Sequence, residues 1–221
     1  HVIGTLQRLQ WSLDGSTQWS LEHPTAWQTG RHMHRIKPFC IKAKAQRICG
    51  NVTWDTTADI TAHLTTDKLD LNQLKPWLPT GTQLPSQLQL FAEISGDDGQ
   101  VQESNIKLEV TPGTWVLIDQ YTEHQVPVDG IGITLQQKNN TLSLQSNISI
   151  AQQEPIEIDA QITDFDWKWS PRQEVHGSIQ WQTDQLASLP LPMINVVQGK
   201  LDLAASISGK LGSPVINGHL D

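Results

Sequence analysis

Residues 88–96 read LQLFAEISG, and this stretch decides the fold because alternate side chains are apolar. In a β-strand, residues two apart point to the same face. Leu88, Leu90, Ala92 and Ile94 would therefore form one apolar face, whereas a helix would distribute the same residues around its axis. The stretch predicts a strand with one apolar side.

The same alternation recurs along most of the chain and predicts an all-β protein. Turn signals such as Pro112-Gly113, Asp129-Gly130 and Ser170-Pro171 separate the runs, as in antiparallel hairpins. The aromatic series Phe165, Trp167, Trp169 has the same spacing and is predicted to be a strand. The aliphatic members of the other runs have no polar residue among them and are Leu88, Leu90, Ala92, Ile94, Ile131, Ile133, Leu135, Leu142, Leu144, Ile148, Ile150, Ile156, Ile158, Ile162, Leu201, Leu203, Ala205 and Ile207.

Part of this pattern is repeated within the chain. Residues 201–209 read LDLAASISG and share the form L-x-L-x-A-x-I-S-G with residues 88–96. A Leu-rich segment followed by prolines precedes each copy, at residues 69–79 and 186–192, and each is predicted to form a short helical turn that the prolines end. The alternative is coincidence in a strand-rich sequence. Repetition of a strand unit favours an extended stack over a closed globule.

Composition narrows the class of function. The 221 residues carry 15 Lys and Arg against 23 Asp and Glu, a net charge of −8, which disfavours nucleic acid as a partner. The longest apolar stretches, such as residues 116–118, fall far short of the ~20 residues of a membrane-spanning helix. Because the chain starts at His1 and ends at Asp221 within an apolar pattern, we expect a segment of a longer protein, with any signal peptide or anchor outside it.

Two cysteines, Cys40 and Cys49, are spaced as on neighbouring strands of a hairpin. An even count in an exported chain favours a disulfide. Free thiols are one alternative, and a zinc site with His32 and His34 is another. The disulfide is our prediction, and no metal site is expected.

Nine tryptophans offer a second candidate site. Trp167, Trp169 and Trp181 could line one face of adjoining strands and stack on sugars, as in a carbohydrate-binding β-sandwich. Because the other six are spread along the chain, packing explains them better than a single sugar platform does.

Catalytic motifs are not found in the sequence. There is no nucleophile elbow, zinc-protease motif or phosphate loop. Asp164 and Asp166 could form an acid pair but read as a solvated strand face, and residues 97–99 read as a turn and not as a calcium loop. We therefore expect neither an enzyme nor a cofactor.

The C-terminal stretch carries the resemblance to a known family. Residues 199–220, GKLDLAASISGKLGSPVINGHL, resemble the repeat of AsmA-like and TamB proteins, G-x-L-x-L-x-x-x-I-x-G-x-L-x-x-P-x-I-x-G-x-L. Cys40, Cys49 and the segments at 50–54 (GNVTW) and 74–79 (LKPWLP) are similar to the Cys-paired segment of the TamB family.

This resemblance implies a periplasmic middle portion of a protein anchored in the inner membrane of a Gram-negative bacterium. It also implies a β-taco fold with an apolar trough, phospholipid passage between the two membranes, support of outer-membrane protein assembly, and an outer-membrane barrel partner, TamA, contacted through the full-length protein.

The alternation itself fits two architectures. In a closed sandwich, two apolar faces cover each other. In an elongated, curved, open sheet, the concave apolar face is kept for guests such as phospholipid acyl chains. The repeat and the resemblance favour the open trough, formed by residues 1–221 as one segment with 1–110 and 111–221 as candidate sub-units, and lined by the eighteen aliphatic residues named above. A carbohydrate- or protein-binding sandwich is the alternative.

Overall fold

The computed structural model describes residues 2–12, 17–98, 100–118, 123–165, 167, 169–184 and 199–221. Sixteen strands form one antiparallel sheet that does not close into a barrel, and one short 3₁₀-helix, η1, interrupts them. The elements are β1 (Val2–Leu6), β2 (Gln10–Ser12), β3 (Gln18–Leu21), β4 (Thr25–Thr29), β5 (Met33–Ala43), β6 (Gln46–Asp55), β7 (Ile60–Asp70), η1 (Leu71–Trp77), β8 (Gln87–Asp97), β9 (Gln100–Val110), β10 (Gly113–Ile118), β11 (Glu123–Lys138), β12 (Thr141–Ile150), β13 (Ile156–Ile162), β14 (Glu174–Thr183), β15 (Leu201–Lys210) and β16 (Ser213–Leu220).

The sheet is mainly a meander in which strands pair with their neighbours in sequence. Its order is β1-β4-β5-β6-β7-β8-β9-β11-β12-β13-β14-β15-β16, with β10 paired to β11 and β2 to β3 outside that path. Strands joined by tight turns pair antiparallel, which is the arrangement that the alternation and turn signals predict. The prediction of an elongated, curved, open all-β sheet is confirmed.

One predicted turn is a bend inside a strand instead. Asp129-Gly130 lies within β11, where the register against β12 shifts between Val128 and Gly130. The first half of β11 pairs with β10 and the second half with β9. A bulge lets the strand bend while its ladder continues, so the turn residues change the partner of β11 without ending it.

The aromatic series at 165–169 was wrongly predicted to be a strand. Phe165 and Trp167 lie in the loop between β13 and β14, and the φ angles of Asp164 and Trp167 are 56° and 65°. A strand needs negative φ at each residue, so the spacing of aromatics misled the prediction. The Phe165 N–H donates to the carbonyl of Asn140 at 2.8 Å, which folds the described part of this loop back onto the β11–β12 turn. We call residues 163–165, 167 and 169–173 the aromatic loop.

Both copies of the repeat are strands, β8 and β15. The predicted helical turn before the first copy is η1, with Pro76 inside it. The turn predicted at residues 186–192 lies outside the described residues.

One corner of the apolar face is covered and packed. Trp19, Ile41 and Ala43 form a buried cluster against which Leu21, Phe39, Ile48 and Leu69 pack. The Trp19 indole N–H donates to Gln73 Oε1 at 3.2 Å, so η1 is fixed across the ends of β3 and β5. Gln46 Oε1 accepts hydrogen bonds from the Gln73 amide and, at 3.0 Å, from the backbone N–H of Asp70. We call Trp19, Ile41, Ala43, Gln46 and Gln73 the packed corner.

Candidate functional site

Register across the sheet places apolar side chains in continuous rows perpendicular to the strands. The central row crosses eleven strands, from β5 to β16, and contains only apolar residues and glycine. It runs Phe39, Gly50, Leu64, Ala92, Ile106, Leu135, Leu144, Ala160, Gly177, Ile207 and Ile216.

Two further rows flank the central row on the same face, because residues two apart along a strand share a face. The second row runs Ile36, Val52, Ala62, Ile94, Ser104, Gln137, Leu142, Ile162, Val175, Gly209 and Pro214. The third row, on the other side, runs Ile41, Ile48, Thr66, Leu90, Leu108, Ile133, Ser146, Ile158, Ile179, Ala205 and Gly218. We call the three rows together the trough.

The eighteen aliphatic residues singled out in the sequence belong to this face, and every one of them is partly exposed, being neither fully buried nor fully solvated. Facing residues of a sandwich core would instead be covered by a second sheet. Within the described residues, the apolar face is therefore open at these eighteen positions, whereas Ser104, Gln137 and Val175 in the second row are buried.

The trough is long and locally deep. Ten strand-to-strand spacings of ~4.8 Å give it a length of about 48 Å. Between β5 and β8 it deepens into a groove of about 340 Å³, lined by Ile36, Phe39, Val52, Ala62, Leu64, Ala92 and Ile94, among others. The sequence runs missed the β5–β7 part of this lining, although Val52, Ala62 and Leu64 keep the same alternation.

The expectation of a lining without polar groups is wrong. Thr66, Ser104, Gln137 and Ser146 lie in the second and third rows. Thr66 Oγ1 accepts a hydrogen bond from the Leu90 N–H at 2.8 Å. The runs were read from their apolar members alone; extending the alternation by two residues places Ser104 before Ile106 and Gln137 after Leu135. The three rows contain no charged residue.

The opposite face carries the charges. Lys138 Nζ lies 3.5 Å from Glu103 Oε1, and Arg47 Nη2 donates to Glu22 Oε2 at 2.8 Å. In the β6–β7 turn, hydrogen bonds donated by the Thr57 backbone N–H and then by its hydroxyl hold the pKa of Asp55 below its usual value. The two faces thus differ in charge as well as in polarity.

Cys40 and Cys49 face each other directly on β5 and β6, with their Cα atoms 4.1 Å apart, and are joined by a disulfide. The bond lies on the polar face, in the row that continues to Thr65 and Phe91. Since each sulfur is bonded to the other, neither serves as a thiolate ligand for zinc. His34 Nδ1 hydrogen-bonds with Thr29 Oγ1 at 2.7 Å, and His32 Nδ1 with Thr56 Oγ1 at 3.3 Å.

The three tryptophans considered for sugar stacking do not lie on adjoining strands. Trp167 and Trp169 lie in the aromatic loop, where each ring packs against Phe165 with centroids 5.7 and 5.6 Å apart. Trp181 lies in β14 opposite Leu203, on the trough side of the sheet. A single planar platform of these three rings is not formed.

The remaining candidates contribute no site. Asp164 lies in the aromatic loop and not on a strand, and Asp166 lies outside the described residues, so the acid pair is not assembled on a strand face. Within the described ranges, no cluster of His, Cys, Asp and Glu could hold a metal ion. No helix in that part of the chain has the length and apolar character needed to cross a membrane.

Comparison with known proteins places this open sheet in a family. Residues 1–221 match the family model described as TamB, N-terminal domain. No curated protein and no solved structure matches the chain. With the family model covering the entire chain, this protein belongs to the TamB family.

Proposed function

We propose that the trough holds the acyl chains of phospholipids and forms one length of a path for lipids between the inner and outer membranes. The observation that carries this proposal is the central row, which is apolar across eleven strands while its side chains stay accessible. The role is binding and conduction, without a chemical step.

The physical argument is the free-energy cost of leaving such a surface exposed to water. Apolar area left in water costs about 25 cal/mol per Å², and contiguous apolar patches of this extent mark binding surfaces. An acyl chain has no hydrogen-bonding groups along its length, so an uncharged aliphatic lining suits it. A bilayer core of ~30 Å holds two chains end to end, about 15 Å each, so a trough of about 48 Å accommodates chains in succession.

The proposed lining consists of the eighteen aliphatic residues predicted from the sequence, together with the β5–β7 residues of the groove. The shape supports passage as well as storage, because the central row runs without a polar residue from β5 to the edge strand β16. We further propose that the 221 residues act as one segment of a longer periplasmic protein that is anchored in the inner membrane and reaches a TamA-like outer-membrane barrel through its full length, supporting outer-membrane protein assembly.

Native mass spectrometry of the purified chain tests the proposal. Co-isolated phospholipid, released at higher collision energy, is the expected result. A photo-crosslinking residue at Leu201, on the trough side, should capture lipid, whereas the same residue at Gln89, on the polar face, should not. Equal capture at both positions, or none at Leu201, would refute the lipid trough.

A further inference from the structure

The trough has one polar interruption that is deeply buried. Ser104 on β9 and Gln137 on β11 are direct cross-strand neighbours in the second row, between Ile94 on one side and Leu142 on the other. Their residues are only 5% and 1% exposed. We call this pair the polar station.

The two members of the station differ in their hydrogen bonding. Gln137 Oε1 accepts a hydrogen bond of 2.7 Å from the indole N–H of Trp167. Ser104 Oγ is buried and has no hydrogen-bond partner among the described residues. A buried hydroxyl without a partner is unfavourable, so its persistence in an otherwise aliphatic row needs a reason.

Trp167 contacts the station from outside the sheet. Its ring is 43% exposed, and it comes from the aromatic loop, not from the sheet. The φ of 65° at Trp167 is a conformation that bulky residues rarely adopt, and it is fixed here by the folding of the loop back onto the β11–β12 turn. The loop thus occupies the Gln137 carbonyl, and the Ser104 hydroxyl remains as a donor without a partner.

The chemistry of the surroundings selects the guest group. A hydroxyl donor in an uncharged row suits a neutral acceptor. The nearest cation in sequence, Lys138, belongs to the polar face and pairs with Glu103 at 3.5 Å, so nothing in the rows would compensate a carboxylate. On an acyl chain, the neutral acceptor is the ester carbonyl where the chain joins glycerol.

We infer that Ser104 donates a hydrogen bond to an ester carbonyl of a glycerolipid, so that the polar station fixes where along the trough the glycerol end of a bound lipid rests. This inference rests on the proposed function. From the station, four strand spacings lead to β5 and five lead to β16, about 19 and 24 Å. Either arm is long enough for one acyl chain of about 15 Å.

Ether lipids provide a direct test, because a dialkyl ether analogue has the same chains and headgroup but no carbonyl. The delipidated 221-residue chain is offered an equimolar mixture of diacyl phosphatidylethanolamine and its dialkyl analogue, and retained lipid is quantified by mass spectrometry. Wild type should favour the ester about fivefold, the value of one neutral hydrogen bond. Ser104→Ala should bind both lipids equally, and Ser206→Ala, which removes an exposed hydroxyl from the polar face, should keep the preference.

The stability of the lipid-free protein gives a second measurement. Because the hydroxyl has no partner, Ser104→Ala should leave the melting temperature unchanged or raise it. A lowered melting temperature would assign Ser104 a structural role and overturn the inference, as would equal binding of the two lipids by wild type. Failure to retain either lipid would instead refute the proposed function itself.

Discussion

The packed corner and the open trough lie on the same face of one sheet and are built from the same alternation. At the corner, η1 and the segment that follows it cover the strand ends, and Trp19, Ile41 and Ala43 are buried. From β8 to β15, the eighteen aliphatic residues remain partly exposed, whereas Val128 on β11 and Val175 on β14 are buried. The pattern of a strand therefore decides which side chains face inward, and a covering segment decides whether they become core.

The packed corner and the trough also differ in how their buried polar side chains are hydrogen-bonded. Gln46 and Gln73 are both hydrogen-bonded, since Trp19, Asp70 and each other supply partners. The polar station leaves the hydroxyl of Ser104 without one. A satisfied network fixes architecture, whereas an unsatisfied donor on an open face suits an incoming ligand.

The largest effect is expected at the corner. Trp19→Ala removes a side chain that is only 1% exposed and leaves Gln73 Oε1 without its donor, so unfolding free energy should fall by about 3–5 kcal/mol. Trp169→Ala, at a ring that is 69% exposed, is the matched control and should cost little. Thermal unfolding of the two variants measures the difference. Similar losses for both would mean that the corner is no better packed than the aromatic loop.

The disulfide should stabilise the sheet without affecting the trough. It closes a loop of nine residues' separation between β5 and β6, for which the chain-entropy estimate is about 2–3 kcal/mol. Replacing both Cys40 and Cys49 by Ser should lower unfolding free energy by that amount in a urea titration. Lipid retention should not change, because the bond lies on the polar face. Thiol titration of the unfolded, unreduced wild type should find no free thiol; two free thiols would contradict the pairing.

The sequence predicts the strands and which of their side chains lie on the apolar face, because the two-residue alternation depends only on neighbouring residues. It predicts a short helical turn at η1 as well, although Pro76 lies inside that helix instead of ending it. It misplaces Phe165, Trp167 and Trp169, since an alternating series looks the same whether or not the backbone at Asp164 and Trp167 adopts positive φ.

Long-range contacts are the part that local patterns cannot supply. Trp19 and Gln73 are 54 positions apart, and nothing near either residue indicates the other. The openness of the trough has the same origin, because an aliphatic face reads identically whether it is covered by protein or left for a guest. The alternation does place Ser104 and Gln137 on the apolar face. Both were missed because only the apolar members of each run were considered.

The smallest loss of stability, with the largest loss of function, is expected in the trough. Leu203→Asp and Ile207→Asp each place a carboxylate on β15, where the native side chains are partly exposed and water can solvate the charge. Unfolding free energy should fall by only about 1 kcal/mol. Captured lipid should nevertheless be lost from a crosslinker at Leu201, because a charge is costly among acyl chains.

Two controls make this last comparison decisive. Ile41→Asp puts the same charge into the packed corner, where burial without a partner should unfold the protein. Gln89→Asp, on the polar face, should change neither stability nor capture. If Leu203→Asp and Ile207→Asp unfold as Ile41→Asp does, and wild-type Leu201 never crosslinks to lipid, then the apolar face around β15 is a packed core in solution. The corner would then represent the whole face, and a binding or scaffolding role would replace the lipid trough.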